Sequence, residues 1–437
     1  MRTTSFAQST QRLAKTPSRI EENRMHRDRM FKNLPRCCLL ICGVLSISSL
    51  DSNAVQRSLY VTVDAGSLDR RDCVVSFAMP RRLKGAYALR DDSGNRLPLQ
   101  IDPDGTATFV LDALKAGTSR RFKLEEVNAK SIESSKMVQL VRDHDRLTIS
   151  VSGRKALTFQ GGPGELPSPD IKPVFRQGGY IHPVFTPSGR IVTDDYPPDH
   201  FHHHGIWFAW TKTEFEGRHP DFWNVADGTG RVEFVAVDQT WSGSVHAGFK
   251  SRNRSIDVSA PKPVTVLNDQ WTVTVYNAGH GAKPYTMFDL VSIQNLATSS
   301  PLILPEYRYG GIGFRGHRQW LPKDNCDFLT SEGKDRSTGH GTRARWCHVG
   351  GRIDDQLAGI AILDHPSNFR SPQAMRINPD QPFFCYSPSL LGDWKIEPGK
   401  PYVSRYRFIV YDGAPDKAQL DRLWDDYANP VRASITQ

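Results

Sequence analysis

The chain has 437 residues, 38% of them hydrophobic, and a formal net charge of +9 from 56 Lys and Arg against 47 Asp and Glu. This length accommodates two domains with cores of their own, and the composition excludes a disordered chain. Residues 1–54 contain nine Lys and Arg and four Asp and Glu, so the rest of the chain carries only +4. That balance is no basis for nucleic-acid binding.

The first 54 residues are predicted to be a leader with a secretory signal peptide. A polar, basic segment over residues 1–32 precedes one short apolar run at 37–50, and Ser52, Asn53 and Ala54 supply the small residues that a signal peptidase recognises. The run is too short to span a bilayer comfortably. We therefore predict cleavage after Ala54 and a secreted, periplasmic or cell-envelope location. An uncleaved membrane anchor is the alternative.

Residues 55–129 are predicted to form a small accessory β-sandwich. Strand-like runs at 59–63, 73–77 and 106–111 are separated by turn signals at 92–95 and 102–105. Short strands at this spacing are typical of a sandwich. A polar linker at residues 130–136 would then lead into a second domain.

The second domain, residues 130–437, is predicted to be a large antiparallel β-sandwich. Its β-rich runs lack the strand–helix alternation of a parallel sheet, and they occur at residues 138–142, 147–151, 232–237, 244–249, 264–267, 271–276, 286–294 and 358–363. One helix is predicted over residues 416–429, where apolar side chains recur at helical spacing, at Leu420, Leu423, Trp424 and Tyr427. The fold class is therefore all-β with one C-terminal helix. After the leader no apolar run reaches eighteen residues, so the mature chain is predicted to have no membrane span.

The four cysteines after the leader do not predict a thiolate metal site. None of them shows CxxC spacing, and export would allow any of three disulfide pairings. These residues are Cys73, Cys326, Cys347 and Cys385.

Four of the fourteen histidines fall within five residues, at His200, His202, His203 and His204. In an extended chain alternate side chains share a face, which is one way to bring two imidazoles to a metal. Asp199, His182 or Glu306 would then complete the ligand set. A non-metal polar binding site and a purely structural cluster are the alternatives. A divalent metal is therefore compatible with the sequence, which requires no cofactor.

Other polar and aromatic residues are candidates for the same site. Glu306 is a suitable partner for a histidine in acid/base chemistry, because one group can donate a proton while the other accepts it. Arginines near glycine-rich or aromatic segments suit contacts to carboxylates or sugar hydroxyls. The predicted ligand-binding set is His182, Asp199, His200, Trp207, Trp210, Trp223, Arg315, Arg343, Arg345 and Asn368.

Several segments in order resemble the PmoA-like family of secreted proteins, named for methane oxygenase. They are HPVFTPSGRIVTDDYPPDHFHHHGIWFAW, DFWN, YGGIGFRG, SEGK, TRARWCHVGG, GIAILDHPSNFRSP and LWDDYANP, and they span residues 130–430. The resemblance implies a β-sandwich akin to the galactose-mutarotase supersandwich, in which a histidine and a glutamate flank a sugar. Carried over to this chain, those catalytic groups are His202 or His203 with Glu306.

We accordingly predict a secreted carbohydrate-active protein that binds a sugar or glycoside in a cleft lined by histidine, tryptophan and arginine. Acid/base chemistry of the lyase, epimerase or hydrolase type would suit such a cleft. The alternatives are a non-catalytic glycan-binding or cell-surface module and, from the family name, a metal-dependent oxidoreductase.

Overall fold

The computed structural model describes residues 58–80, 85–128 and 137–436. The predicted leader, the signal peptide and the linker at 130–136 lie outside these residues. The strands in chain order are β1 (Tyr60–Asp64), β2 (Arg70–Ala78), β3 (Ala86–Asp91), β4 (Arg96–Ile101), β5 (Thr106–Leu114), β6 (Ser119–Val127), β7 (Val138–Asp143), β8 (Arg146–Val151), β9 (Arg154–Gln160), β10 (Tyr180–Val184), β11 (Ile206–Ala209), β12 (Gly230–Trp241), β13 (His246–Asp257), β14 (Val264–Tyr276), β15 (Tyr285–Leu296), β16 (Leu302–Leu304), β17 (Gly311–Arg315), β18 (Asp327–Thr330), β19 (Trp346–Ile353), β20 (Gln356–Asp364), β21 (Met375–Ile377), β22 (Phe383–Tyr386), β23 (Trp394–Ile396), β24 (Tyr402–Asp412) and β25 (Arg432–Thr436).

The first six strands and the last one form a single curled sheet, which we call the N-terminal sheet. Its order is β2-β5-β4-β3-β6-β1-β25. Phe109 of β5 and Phe122 of β6 come from strands that are not neighbours in the sheet, yet their ring centroids lie 5.8 Å apart across a shared core. The chain's C-terminal strand, β25, which was predicted to belong to the second domain, pairs with β1 in this sheet.

Two eight-stranded antiparallel sheets form the large sandwich. The first, which we call the site sheet, has the order β21-β22-β17-β11-β10-β9-β8-β7, and the second, the long-strand sheet, has the order β12-β13-β14-β15-β24-β20-β19-β18. A continuous apolar core lies between them and includes Phe159 and Ile181 of the site sheet and Val273 and Phe408 of the long-strand sheet. The predicted all-β architecture is confirmed.

One prediction within the long-strand sheet needs correction. Residues 264–267 and 271–276 were expected to form two strands because polar residues separate them, but β14 runs unbroken through both. The interruption is tolerated because the buried Asp269 carboxylate accepts hydrogen bonds from Ser292 Oγ at 2.7 Å and Trp271 Nε1 at 2.9 Å.

The single α-helix of the described residues, α1 (Lys417–Ala428), covers the outer face of the long-strand sheet. Asp416 caps its N-terminus, since its side chain accepts a hydrogen bond from the Gln419 amide. Leu420, Leu423 and Tyr427 are buried against that sheet. Burial of each leucine side chain stabilises the fold by about 1.5–3 kcal/mol. The helix predicted from periodicity is confirmed. No helix in the described ranges is long and apolar enough to cross a membrane.

The four cysteines of the described chain are free thiols in buried positions. Burial raises the pKa values of Cys73, Cys326 and Cys385 to about 12. These side chains therefore behave as apolar core residues.

Candidate functional site

The histidine cluster lies in the connection between β10 and β11, where a buried arginine at the end of β17 holds it. Arg315 is fully buried, and its Nη2 donates to both carboxylate oxygens of Asp199, at 2.7 and 2.9 Å. Its Nη1 lies 3.4 Å from Nδ1 of His203. Although burial opposes the shift, hydrogen bonds from His200 and Arg315 lower the pKa of Asp199. The predicted residues Asp199 and Arg315 are thus in contact. Their ion pair, which we call the clamp, holds the loop in place.

His203 is a packed aromatic ring. It is 3% exposed, and its ring centroid lies 5.0 Å from that of Phe383 and also 5.0 Å from that of Trp207. The His200 ring stacks on it at 4.9 Å. Burial and the neighbouring charge of Arg315 lower the pKa of His203 well below its usual range. It is therefore neutral and enclosed.

The three predicted tryptophans are core residues and do not line an open cleft. Trp207, Trp210 and Trp223 are 7%, 1% and 2% exposed. Trp210 faces the long-strand sheet, where its Nε1 donates to Gln294 at 2.7 Å. The other two pack at 4.7 Å over Gly313, where an added Cβ would lie 2.7 Å from the Trp223 ring. The sequence-based expectation fails here because large aromatic side chains serve a core as readily as a ligand site.

The remaining predicted residues lie away from the histidines. Glu306 is exposed in the loop before β17, at the end of that strand opposite Arg315, and its backbone contacts Asp393 and Lys212. Within the described chain its carboxylate makes no hydrogen bond to the cluster. The structure therefore shows no contact between Glu306 and His202 or His203 among the described residues, and their catalytic pairing stays a prediction.

Arg343, Arg345 and Asn368 have structural partners. Arg343 donates to backbone carbonyls of the 370–372 turn, and Arg345 pairs with Asp421 of α1 at 3.1 Å. Asn368 closes its own turn by bonding Asp364 and Arg405. None of the three lines the cleft described next.

An open cleft of about 900 Å³ lies on the outer face of the site sheet. Arg146, Gln160 and Tyr180 form one cross-strand row on β8, β9 and β10, because Leu147, Phe159 and Ile181 take the alternate positions facing the core. The lining residues are Arg146, Gln160, Gly164, Glu165, Pro167, Tyr180, His182, Ile191, Thr193, Asp194, Asp195, Tyr196, His317, Arg318 and Gln319. Among the predicted site residues only His182 is in this set.

Asp195 links the cleft to the histidine cluster. Its Oδ1 lies 2.7 Å from Nδ1 of His204, and its Oδ2 accepts a 2.8 Å hydrogen bond from the Tyr180 hydroxyl. Burial and the nearby carboxylate raise the pKa of Tyr180, so this hydroxyl stays protonated and donates. Gly205 allows the chain to turn here, because its φ is +57° and an added Cβ would lie 2.2 Å from the Ile181 carbonyl oxygen. Two fixed partners thus orient the Asp195 carboxylate.

Asp194 is held in a different way. Arg318 donates to both of its carboxylate oxygens, from Nε at 3.2 Å and from Nη2 at 3.0 Å. Its Oδ1 also accepts the backbone amide of Asp195 at 2.9 Å. Asp194 is 7% exposed and therefore positions its neighbour more than it meets a ligand.

His182 presents an imidazole to the cleft on the same strand as Tyr180. Its Nδ1 lies 2.9 Å from Thr193 Oγ1, an oxygen that also accepts the Val184 amide. Burial lowers the pKa of His182, and the charges of Asp195 and Asp194 oppose that shift. The ring is therefore neutral at pH 7 and able to accept a proton.

The described residues contain no group of three or more His, Cys, Asp or Glu side chains arranged to hold a metal ion. The expected set of His200, His202 and His204 does not share one face, because the chain turns between them: the His203 amide donates to the His200 carbonyl. The rings of His200 and His202 meet edge to face at 5.5 Å, while His204 bonds Asp195.

Sequence reasoning missed most of the cleft. Asp194 and Asp195 begin twelve residues after His182, in the same segment of the sequence. No rule of residue spacing predicts that their carboxylates share a site with His182. His317 and Arg318 follow β17, and the pairing of β17 with β11 and the bridge between Thr193 and Gly316 bring them to the cleft.

Comparison with known proteins shows the family. A family model described as a family of unknown function, DUF6807, matches residues 146–425. The chain belongs to this family. Every residue that lines the cleft falls inside the match. A search of the curated proteins finds no match to this DUF6807 chain.

The DUF6807 chain is similar to solved structures at low identity. An alpha-mannosidase from Enterococcus faecalis aligns at 8% identity over 87% of this chain and 46% of its own length, with a TM-score of 0.42. A glycosyl hydrolase family 38 protein from the same organism aligns at 8% identity over 87% and 47%, with a TM-score of 0.40. This chain therefore spans about half the length of those two structures.

A galactose mutarotase related enzyme from Lactobacillus acidophilus aligns with the DUF6807 chain at 9% identity over 63% of this chain and 97% of its own, with a TM-score of 0.21. The PmoA-like family is named by none of these comparisons, so that resemblance stays a prediction.

Proposed function

We propose that the protein is an exported carbohydrate-active protein that binds a sugar or glycoside in the cleft of the site sheet. The observation that carries the proposal is the lining of this cleft. A neutral imidazole, an oriented carboxylate, an amide and a guanidinium open onto one space of about 900 Å³, namely His182, Asp195, Gln160 and Arg146. Planar groups of this kind accept and donate the paired hydrogen bonds that vicinal hydroxyls make.

The charges of the cleft favour a neutral ligand. Arg318 is already paired with Asp194, and Arg146 donates to Gln160 Oε1 at 3.1 Å. Asp195 and Glu165 offset the remaining positive charge. A phosphate or carboxylate ligand would therefore not meet two cationic side chains that both lack other partners. A sugar hydroxyl, in contrast, meets both hydrogen-bond donors and acceptors.

Acid/base chemistry in the cleft would use His182 and Asp195. His182 is neutral at pH 7 and can take a proton from a sugar hydroxyl. Asp195, fixed by Tyr180 and His204, would bind an adjacent hydroxyl or carry the second proton transfer. This assignment keeps the histidine–carboxylate pairing expected from the sequence but replaces its members.

Calorimetric titration with a panel of neutral mono- and disaccharides tests the proposal. We expect at least one saccharide to bind, and Asp195→Asn to weaken that binding about tenfold, as loss of a charge-assisted hydrogen bond does. Asp92→Asn, at an exposed turn of the N-terminal sheet, is the matched control and should bind like the parent. Absence of binding across the panel, or equal affinity of the two variants, would contradict the proposal.

A further inference from the structure

A second cavity, of about 480 Å³, lies between the N-terminal sheet and the outer face of the long-strand sheet. Among the residues that the structure describes, none lines both this cavity and the cleft. We call it the threonine groove, and its lining residues are Ser76, Asp102, Pro103, Asp104, Thr106, Thr108, Gln239, Thr240, Trp241, His246, Lys250, Thr272, Thr274 and Tyr276.

Hydroxyl groups face each other across this groove. On β14, Thr272 and Thr274 point away from the sandwich core, because Val273 and Val275 occupy it. On the opposite wall, Ser76 of β2 and Thr108 of β5 form a cross-strand pair whose hydroxyl oxygens lie 3.0 Å apart. The groove is thus lined by hydroxyls from both sheets.

The same strands are apolar where the two sheets are in contact. Val74 and Val110, two residues along from Ser76 and Thr108 on the same face, pack against the apolar cluster beneath α1. Valine and threonine have nearly the same shape, so valine would fill a closed interface equally well. Threonine hydroxyls buried there without hydrogen-bond partners would instead cost free energy. The change from valine to hydroxyl side chains marks a space built for polar contacts.

An indole ring forms a fixed aromatic surface in the groove. Trp241 of β12 lies over Gly248 of β13, where an added Cβ would be 2.4 Å from the ring. Its Nε1 donates to Nδ1 of His246 at 2.9 Å, which fixes the ring plane. The indole is only partly buried, so part of its surface stays open to a ligand.

A carboxylate is fixed beside this ring. Nδ1 of His246 accepts from Trp241, and Nε2 of the same ring lies 3.4 Å from Asp102 Oδ2. Gln100 Nε2 donates to Asp102 Oδ1 at 3.3 Å. Lys250 also lines the groove and carries a positive charge. The pKa of Asp104 is lowered mainly by local hydrogen bonds and to a smaller extent by the charge of Lys250.

We propose that the threonine groove is a second saccharide-binding site that takes a neutral oligosaccharide. An indole face packs against the C–H face of a pyranose, and the threonines and Asp102 bond its hydroxyls. One lysine against two aspartates does not favour an anionic ligand, and the hydroxyl walls do not suit a lipid. The proposal is independent of the cleft, since the two sites share no residue.

Binding of three neutral hexasaccharides tests it: cellohexaose, mannohexaose and xylohexaose, titrated by calorimetry. The titrations use Asp195→Asn as the parent, so that binding in the cleft is already weakened and any loss caused by a second substitution is assigned to the groove. We expect at least one hexasaccharide to bind, and Thr272→Val with Thr274→Val to weaken it about fivefold or more, since two hydrogen bonds are lost. Trp241→Phe should weaken it as well.

Thr265→Val, on the same strand but outside the groove, is the matched control and should bind like the parent. Thermal unfolding of each variant shows that the fold is kept. The proposal is overturned if no hexasaccharide binds the Asp195→Asn parent, or if the double threonine variant binds as tightly as Thr265→Val. Failure of the cleft to bind a saccharide leaves this result unaffected.

Discussion

His204 Nδ1 lies 2.7 Å from Oδ1 of Asp195, and through this contact the histidine cluster reaches the cleft. The ring itself is 1% exposed, while the carboxylate opens onto the cleft. The cluster therefore holds the Asp195 carboxylate from behind the cleft.

His182 and Glu306 should respond differently to loss of their titratable groups. We expect His182→Gln to weaken saccharide binding about tenfold or to abolish any proton transfer, because the imidazole lines the cleft. Glu306→Gln should leave affinity within about twofold of the parent. Titration of both variants with the same saccharide is the measurement. A large effect of Glu306→Gln alone would restore the pairing first expected from the sequence.

The clamp between Arg315 and Asp199 should contribute strongly to stability. Asp199→Ala leaves a fully buried guanidinium without its carboxylate, and we expect a loss of about 3 kcal/mol in the free energy of unfolding. Chemical denaturation measures it. Asp238→Ala, which breaks the exposed pair with Arg252, is the control, with an expected loss of about 0–1 kcal/mol. Equal losses would show that the clamp is no stronger than a surface pair.

Gly313 should tolerate no side chain. Gly313→Ala places a Cβ 2.7 Å from Trp223 and 2.9 Å from Trp207, so the two indoles must shift, at a cost of about 1–3 kcal/mol. Gly281→Ala is the matched control, because nothing lies within 4 Å of its added Cβ. Denaturation midpoints of the two variants decide the matter, and similar midpoints would mean that the tryptophans repack freely.

Stability should fall at mildly acid pH partly through His202. Burial, then the charge of His200, lowers the pKa of His202 from 6.5 to about 4. Between these values the unfolded chain binds a proton that the folded chain does not, so stability is full above 6.5 and declines as the pH falls towards 4. At pH 5 this cost is about 2 kcal/mol.

His202→Asn should remove that part of the decline. Thermal unfolding at pH 7.5 and pH 5 measures it, with the parent losing more stability on acidification than the variant. His144→Asn, at a fully exposed histidine, is the control and should behave like the parent. Identical pH dependence in parent and His202→Asn would mean that the ring is protonated in the folded protein.

Local patterns predicted the fold class because they are set by neighbouring residues. β-rich runs located fewer than half of the 25 strands in the described residues, and the spacing of Leu420, Leu423 and Tyr427 located α1. The junction at Asp269 was misjudged because its partners, Ser292 and Gln294, lie on the next strand. The pairing of β25 with β1 could not be predicted, since no local signal links the two ends of the chain.

The site was predicted less well, for a related reason. The histidine-rich segment lies next to the cleft, but the composition of the cleft depends on which strands are neighbours. Trp207, Trp210 and Trp223 were expected to be exposed to a ligand, and the structure buries them between and behind the strands. Asp194 and Asp195 were not predicted as site residues, because only the folded chain brings Arg318 and His204 into contact with them.

A crystal structure with a bound saccharide tests the central claim most directly. The account predicts saccharide density in the cleft of the site sheet, with hydroxyls within hydrogen-bonding distance of Asp195 Oδ and the His182 imidazole. Density beside Glu306 instead, or a cleft that stays free of saccharide in crystals soaked with every sugar that binds in solution, would contradict it.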